Sequence, residues 1–247
     1  MPKRPTAPTT EMRIRALTLD LDDTLWPIEP VMLRAEERLD AWMKANCPLA
    51  AEKYPIAAMR ELRDRIANEN PHLSHDFTEQ RKLSLQAALL PHGYEDSHVH
   101  DAFTEFYAAR NEIECYPDSL VALQRLAAKF PLVSITNGNA DLDRIGMAHF
   151  FKFAITARGC GVAKPDKRIF DVACAKLELA PGEILHVGDD PQLDVVGARD
   201  AGLRTAWINR TGATWAHGTK PDVTVHDLGE LADLLESQHP QRHRLSA

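Results

Sequence analysis

The chain has 247 residues, of which 44% are hydrophobic and 26% are charged, and its formal net charge at pH 7 is −7. This length allows one large domain or a domain that carries a smaller inserted one, and the hydrophobic content argues against intrinsic disorder. The negative charge argues against binding nucleic acid through a broad basic face, and no apolar run approaches the ~18 residues that span a membrane.

The four cysteines are scattered and form no C-x-x-C pair, which predicts reduced thiols and a cytoplasmic protein rather than a disulfide framework. We interpret the basic, Pro- and Thr-rich residues 1–12 and the polar residues 240–247 as flexible tails. No apolar stretch with a cleavage site follows the first of these segments, so it does not resemble a signal peptide.

The first predicted element is a strand over residues 14–19, a buried apolar run too short for a helix. A helical pattern follows, with apolar residues at three- and four-residue intervals over four segments, 30–43, 56–66, 76–90 and 99–107. Four helices joined by short connections predict a small bundle.

From residue 116 onward, predicted strands alternate with predicted amphipathic helices. We expect strands at 132–135, 153–155, 184–187 and 205–208, and helices at 118–129, 142–150, 166–177 and about 192–201. The alternation predicts βαβ crossovers and an α/β fold with a Rossmann-like, doubly wound parallel sheet, which the first strand joins. The predicted core therefore comprises residues 13–28 and 116–239, and residues 29–115 form an inserted helical cap.

Polar residues follow three of the predicted strands at the point where each strand ends. These clusters are Asp20-Leu21-Asp22-Asp23-Thr24, Thr136-Asn137-Gly138 and Gly188-Asp189-Asp190, the last with Asp194 four residues beyond it. Ligands of open parallel sheets bind outside the carboxyl ends of the strands. We therefore expect the three clusters, which lie far apart in the sequence, to meet in one pocket.

Several carboxylates in one pocket repel one another, and each raises the pKa of its neighbours. A hard dication with oxygen ligands relieves this repulsion, so Asp20, Asp22 and Asp189 predict a Mg²⁺ site. Lys164, in an extended loop before a predicted helix, is the one cation that we expect there. Together with the Thr136 hydroxyl and free backbone N–H groups, this set suits a phosphoryl group.

The two acids that follow the first strand would have different roles. One of Asp20 and Asp22 can attack phosphorus to form an aspartyl-phosphate, while the other protonates the leaving alcohol and then deprotonates the attacking water. The Thr24 hydroxyl is expected to hold the turn. Asn137 would either bind substrate oxygens or cap the following helix, and Asp190 would either touch the metal shell or form the turn before the next helix.

The order of these residues resembles the four motifs of the haloacid dehalogenase-like hydrolase superfamily. The motifs are D-x-D-x-T from Asp20, then Thr136, then Lys164, then G-D-x4-D from Gly188. The resemblance covers residues 13–210. It implies that Thr136 and Lys164 bind the transferring phosphoryl group.

The same resemblance implies roles for the acids. Asp20 would be the nucleophile and Asp22 the general acid and base. Mg²⁺ would be held by the carboxylates of Asp20 and Asp189 and the carbonyl of Asp22, with Asp194 supporting the metal site. The helical segment at 29–115 would be a cap of the family's C1 type, which closes over the site and recognises the leaving group.

Dehalogenases of this family lack an acid two residues after the nucleophile, so Asp22 places the sequence with the phosphatases. The cap segment His75-Asp76-Phe77-Thr78, with Arg81, is similar to the bacterial phosphatases of the riboflavin pathway, which act on 5-amino-6-(5-phosphoribitylamino)uracil and FMN. Two interpretations of this segment stay open. His75, Asp76 and Arg81 would contact the substrate from the cap, or Asp76 would cap a helix while Arg81 pairs on the surface of that helix.

The resemblance thus implies Mg²⁺-dependent hydrolysis of a small phosphorylated metabolite by a monomer or a homodimer. Two other enzymes use the same fold, a phosphomutase and a 2-haloacid dehalogenase-type hydrolase. A non-enzymatic binding protein is a third class, which the intact set of acids argues against.

Overall fold

The computed structural model of the chain describes residues 13–238. The two predicted tails lie outside the described residues. Six strands of the described chain form one parallel sheet: β1 (Ala16–Leu19), β2 (Leu132–Thr136), β3 (Phe153–Thr156), β4 (Ile184–Gly188), β5 (Arg204–Ile208) and β6 (Val223–Val225).

The spatial order of the strands is β3-β2-β1-β4-β5-β6. Along the chain, β2 and β3 are added on one side of β1, and β4, β5 and β6 are then added on the other side. This reversal puts a topological switch point beside β1, where open α/β sheets bind their ligands. In the register of the sheet, Leu19 at the end of β1 lies opposite Ser134 of β2 and Val187 of β4.

Helices cover both faces of the sheet. The helices outside the insert are α6 (Ser119–Ala127), α7 (Leu142–Ile145), α8 (Ala157–Cys160), α9 (Lys167–Leu177), α10 (Gly197–Asp200) and α11 (Leu228–Gln238). Leu123 of α6 and Leu231 of α11 share one hydrophobic cluster with Leu17 of β1, while Phe170 of α9 packs with Ile135 of β2 in another. Successive strand residues face opposite helix layers, and the predicted α/β fold with a doubly wound parallel sheet is confirmed.

Between β1 and α6 the chain forms five further helices, α1 (Ile28–Asn46), α2 (Pro48–Lys53), α3 (Ile56–Glu69), α4 (Phe77–Leu89) and α5 (Asp96–Arg110). They have a hydrophobic cluster of their own, which includes Leu39, Leu85 and Phe106. This second cluster supports an inserted cap, although Val31 of α1 packs in the cluster of the sheet. The boundaries at residues 28/29 and 115/116 stay a prediction.

The two chain segments that join these helices to the sheet are tied to each other. The backbone N–H of Tyr116 donates to the Leu25 carbonyl at 3.0 Å, and the buried Ser119 hydroxyl donates to the same carbonyl at 2.8 Å. These bonds place the helical segment at the carboxyl end of β1.

Two predicted helices differ from the structure. The helix predicted over 142–150 ends at Ile145, because Gly146 adopts a left-handed conformation with φ +81° that terminates it. The helix predicted over about 192–201 begins as a π-helical turn, Pro191–Val196, and only its last part is α-helical. The elements α2, α8, β6 and α11 were not predicted. None of the helices within residues 13–238 is long and apolar enough to cross a membrane.

Candidate active site

The polar clusters that end β1, β2 and β4 meet at one edge of the sheet and face a cavity of about 520 Å³. The helical segment supplies the opposite wall. Eight of the predicted site residues line this cavity: Asp20, Asp22, Thr136, Asn137, Lys164, Asp189, Asp190 and Asp194. Thr24 and Gly188 do not line it, and the structure places both in contact with the carboxylates behind it.

Lys164 joins two of the carboxylates. Its ammonium donates to Asp20 Oδ1 at 2.5 Å and to Asp194 Oδ1 at 2.6 Å, and its side chain is only 2% exposed. Burial alone would lower the pKa of Lys164, but the carboxylates of Asp194 and Asp20 raise it above its ordinary value. The ammonium is therefore charged at neutral pH.

The backbone of Lys164 is held by Asn137. The Asn137 amide donates to the Lys164 carbonyl at 3.0 Å, and the Lys164 N–H donates to Asn137 Oδ1 at 2.7 Å. Asn137 caps no helix within residues 13–238, so the alternative of a helix cap is wrong. Asn137 also lines the cavity, and its contact with substrate stays a prediction.

His186, which the sequence pattern did not single out, contacts Asp194 and does not line the cavity. Burial lowers the pKa of His186, so the ring is neutral. Its Nε2 lies 3.1 Å from Asp194 Oδ1 and its Nδ1 lies 2.8 Å from the Thr18 hydroxyl. Since Asp194 only accepts, Nε2 carries the ring proton and Nδ1 accepts from Thr18. Burial would raise the pKa of Asp194, but Lys164 and His186 together hold it below its ordinary value.

Three carboxylates crowd the end of the sheet. One oxygen from each of Asp20, Asp189 and Asp194 lies within 4.8 Å of the others. When all three are ionised, they carry three negative charges against the single positive charge of Lys164, which leaves an excess of two. One dication with oxygen ligands balances this excess, so the donor set fits Mg²⁺.

The same crowding shifts the pKa values of two of these acids. Burial, together with repulsion from Asp194, raises the pKa of Asp189 to about 7. Burial raises the pKa of Asp20 well above its ordinary value, and Lys164 offsets only part of this effect. Binding a cation would therefore displace protons from the site near neutral pH.

Gly188 and Thr24 allow the carboxylates to lie close to one another. A Cβ on Gly188 would lie 2.3 Å from Asp194 Cγ, so a larger residue there would displace that carboxylate. The Thr24 hydroxyl lies 3.0 Å from Asp189 Oδ1 and 3.4 Å from Asp20 Oδ2. Thr24 was expected to hold the turn, and the structure instead places its hydroxyl between two of the acids.

Asp22 has different partners from Asp20. Nη2 of Arg110 donates to both oxygens of Asp22, at 2.8 and 2.7 Å, and the Trp26 indole N–H donates to Oδ1 at 2.8 Å. Gly138 leaves room for the carboxylate, since a Cβ there would lie 2.5 Å from Asp22 Oδ2. The two acids therefore differ in environment, with Asp20 beside an ammonium and Asp22 held by a guanidinium and an indole.

Arg110 corrects the expectation that Lys164 would be the one cation at the site. It is the last residue of α5 and its side chain is 2% exposed. The helical spacing contained a signal, since Arg110 lies four residues after Phe106 on the buried face of the helix. The sequence could not show that this face ends beside Asp22, 88 positions away.

Asp190 and Asp76 both cap helical turns. Asp190 Oδ1 accepts from the backbone N–H groups of Gln192 and Leu193, each at 2.7 Å, which agrees with its interpretation as a turn former. Asp76 Oδ1 accepts from the Glu79 N–H at 2.9 Å at the start of α4. Neither contact tests a role of these acids toward metal or substrate.

The predicted surface pairing of Arg81 is wrong. Its side chain lies in the interior with the residue 4% exposed, and it forms no ion pair with a carboxylate within residues 13–238. His75, the other cap residue singled out by the sequence, is half-buried and does not line the cavity. Arg81 does line it.

Comparison with known proteins agrees with this geometry. Residues 14–202 match the family model for the haloacid dehalogenase-like hydrolases. The chain belongs to this family. It is 34% identical to the 5-amino-6-(5-phospho-D-ribitylamino)uracil phosphatase YigB of Escherichia coli, over 90% of this chain and 97% of that protein. The predicted family is thereby confirmed, and the chain is an enzyme of the hydrolase class.

Two further relatives differ in their activities. The chain is 29% identical to a phosphoserine phosphatase of Thermus thermophilus, over 88% of this chain and 98% of that protein. The solved structure of a 2-haloacid dehalogenase from Pseudomonas syringae superposes with a TM-score of 0.85 at 34% identity, over 91% of this chain and 99% of that one. The similarity therefore establishes the family and leaves the reaction to be argued from the site.

Replacing Lys164 with methionine tests the buried charge network. We expect Lys164→Met to lower the free energy of unfolding by about 3–5 kcal/mol at pH 7, because Asp20 and Asp194 lose their shared cation. Urea unfolding at constant ionic strength measures this change. Lys167→Met is the matched control, since Lys167 is exposed and should change stability by no more than about 0.5 kcal/mol. Equal stabilities for the two variants would contradict the network.

Proposed function

We propose that the chain is a cytoplasmic, Mg²⁺-dependent phosphomonoester hydrolase that acts on a small phosphorylated metabolite through an aspartyl-phosphate on Asp20. The observation that carries the proposal is the pair of acids two residues apart, Asp20 and Asp22, with different partners in one cavity. Such a pair separates the attack on phosphorus from the transfer of protons. The names of the two phosphatase relatives support the same enzyme class.

The first half of the reaction transfers the phosphoryl group to the chain. An Asp20 carboxylate oxygen attacks phosphorus, the bond from phosphorus to the ester oxygen breaks, and Asp22 gives a proton to the departing alcohol. Lys164 and Thr136 line the same cavity and would bind the phosphoryl oxygens. Asp20, Asp189 and the Asp22 carbonyl would hold Mg²⁺, which supplies positive charge that offsets the phosphoryl and carboxylate oxygens.

The second half of the reaction regenerates the acid. Asp22, now a carboxylate, takes a proton from a water molecule as that water attacks phosphorus, and the acyl-phosphate bond breaks to release inorganic phosphate and the Asp20 carboxylate. Arg110 and Trp26 orient Asp22 for both steps, since their bonds to it fix the direction of its carboxyl group.

The proposed substrates are FMN and 5-amino-6-(5-phospho-D-ribitylamino)uracil. The name of the Escherichia coli relative supports the second of these. The cavity of about 520 Å³ supports both, because it lies within the range of sites that enclose a small metabolite. We further propose that the enzyme is a monomer or a homodimer.

A 2-haloacid dehalogenase-type reaction is the second candidate, favoured by the similarity to the Pseudomonas syringae dehalogenase. In that reaction a carboxylate would displace halide from carbon, and no leaving alcohol would need a proton. Asp22, held in the cavity by Arg110, argues for the phosphatase. Release of chloride from 2-chloropropionate without release of phosphate from any ester would favour the dehalogenase. A requirement for a phosphosugar activator would favour a phosphomutase.

Asp20→Asn is expected to abolish turnover, because an amide is a poor nucleophile. Rapid quenching of the wild-type enzyme with a ³²P-labelled ester, followed by peptide mapping, should find the label on the peptide that contains Asp20. Asp143→Asn, which changes an exposed aspartate, is the control and should keep wild-type activity. Label on any other residue would overturn the assignment.

Asp22→Asn is expected to slow hydrolysis of an alkyl phosphate by about 10²–10⁴-fold, the usual contribution of a positioned proton carrier. The loss should be smaller for 2,4-dinitrophenyl phosphate, whose leaving group needs no proton. Steady-state rates with the two esters measure the difference. If both esters lost activity in the same proportion, Asp22 would not act as the general acid.

A further inference from the structure

The wall of the cavity that faces the sheet combines aromatic and cationic side chains. Met32, Phe77 and Phe106 supply apolar surface, and Arg63 and Arg81 supply positive charge. The same cavity reaches Asp20 and Lys164, so one molecule can contact both the acids and this wall. From the helical segment, the proposed phosphoryl chemistry uses only Arg110, which leaves these five side chains to be explained.

Arg81 is a buried cation without an acceptor. The residue is 4% exposed, and its guanidinium donates no hydrogen bond to any acceptor within residues 13–238. Its side chain stacks on Phe106, with Cζ 4.1 Å from the ring centroid. A guanidinium has five N–H donors, and the Arg81 side chain lines the cavity, where an acceptor on a bound molecule would pair with them.

The neighbouring carboxylates are already bound to other arginines. Glu36 accepts from Arg60 Nε at 2.6 Å and lies 3.6 Å from Arg63, and Asp64 accepts from Arg63 at 3.0 Å. Burial, together with repulsion from Arg63, lowers the pKa of Arg81 to about 10. Arg81 is therefore still charged at neutral pH and has no counter-ion of its own among the described residues.

We propose that Arg81 binds a planar, acceptor-bearing group in the leaving-alcohol part of the substrate, either a carboxylate or the carbonyl oxygens of a ring. The inference rests on the proposed phosphatase function and deepens it, because it assigns a second subsite to the same cavity. The guanidinium fork matches two adjacent acceptor oxygens, which an ammonium does not. Phe77, Phe106 and Met32 supply the apolar surface on which a planar group packs.

Three phosphate esters distinguish the acceptors. FMN carries ring carbonyls, phosphoserine carries a carboxylate, and phenyl phosphate carries neither. We expect Arg81→Met to lower kcat/KM about 10- to 100-fold for FMN or for phosphoserine, mainly through KM, while phenyl phosphate changes less than about threefold. The ester that loses activity identifies the acceptor. Arg81→Lys keeps the charge but loses the fork, so it should restore only part of the loss.

Lys82→Met is the matched control. Lys82 lies next to Arg81 on α4 and contacts the Phe103 ring at 5.0 Å, yet it does not line the cavity. All three esters should keep their wild-type values in this variant. We also expect Arg81→Met to be at least as thermostable as the wild type, because it removes a buried charge without a partner. A uniform loss for the three esters, or a lower Tm with such a loss, would show a structural role and overturn the proposal.

Binding without turnover separates this proposal from the catalytic one. In the Asp20→Asn protein, calorimetry measures the affinity for FMN, phosphoserine and phenyl phosphate, with and without Arg81→Met. We expect at least one acceptor-bearing ester to bind more tightly than phenyl phosphate, and Arg81→Met to remove that difference. If neither binds more tightly, the proposal is wrong. If one does but the wild-type enzyme hydrolyses no ester, the subsite stands and the phosphatase proposal fails.

Discussion

The carboxyl end of the sheet carries an excess of two negative charges when its three clustered acids are ionised. Asp20, Asp189 and Asp194 share a space a few ångströms wide with the single ammonium of Lys164. Such crowding is stable only if protons or a cation neutralise part of the negative charge. The pKa of Asp189, raised to about 7, corresponds to neutralisation by a proton. A divalent cation would neutralise the same charge, and in the proposed reaction it would supply positive charge beside Asp20.

The fold is what makes this concentration of charge possible. Asp20 follows β1, while Asp189 and Asp194 follow β4, the neighbouring strand in the sheet. Residues 144 and 165 positions apart thereby become neighbours. A buried layer supports them, in which Thr18 and His186 hold Asp194 from below. The helical segment brings Arg110 to Asp22 and Arg81 to the far wall, which gives the two ends of the cavity different chemistry.

Much of this arrangement could be predicted because the ends of the strands can be located in the sequence. Asp20, Thr136 and Asp189 directly follow apolar runs, and parallel strands bring such positions together. The end of the helix before Gly146 was not predicted, since a glycine within a helical pattern does not reveal whether its φ angle is positive. Arg110 was missed because the helical spacing indicates a buried position and does not identify Asp22 as its partner. His186 was missed because its role depends on its contacts with Thr18 and Asp194, which the strand pattern does not identify.

The most direct test of the central claim is Mg²⁺ binding measured by isothermal titration calorimetry at pH 7 in two buffers of different ionisation enthalpy. We expect one Mg²⁺ per chain, bound with release of protons from the Asp20–Asp189 pair, and at least tenfold weaker binding by Asp189→Asn than by the wild type. Asp143→Asn, with an exposed aspartate, should bind as the wild type does. Equal affinity in the wild type and Asp189→Asn, or no proton release, would contradict a dication held by these carboxylates.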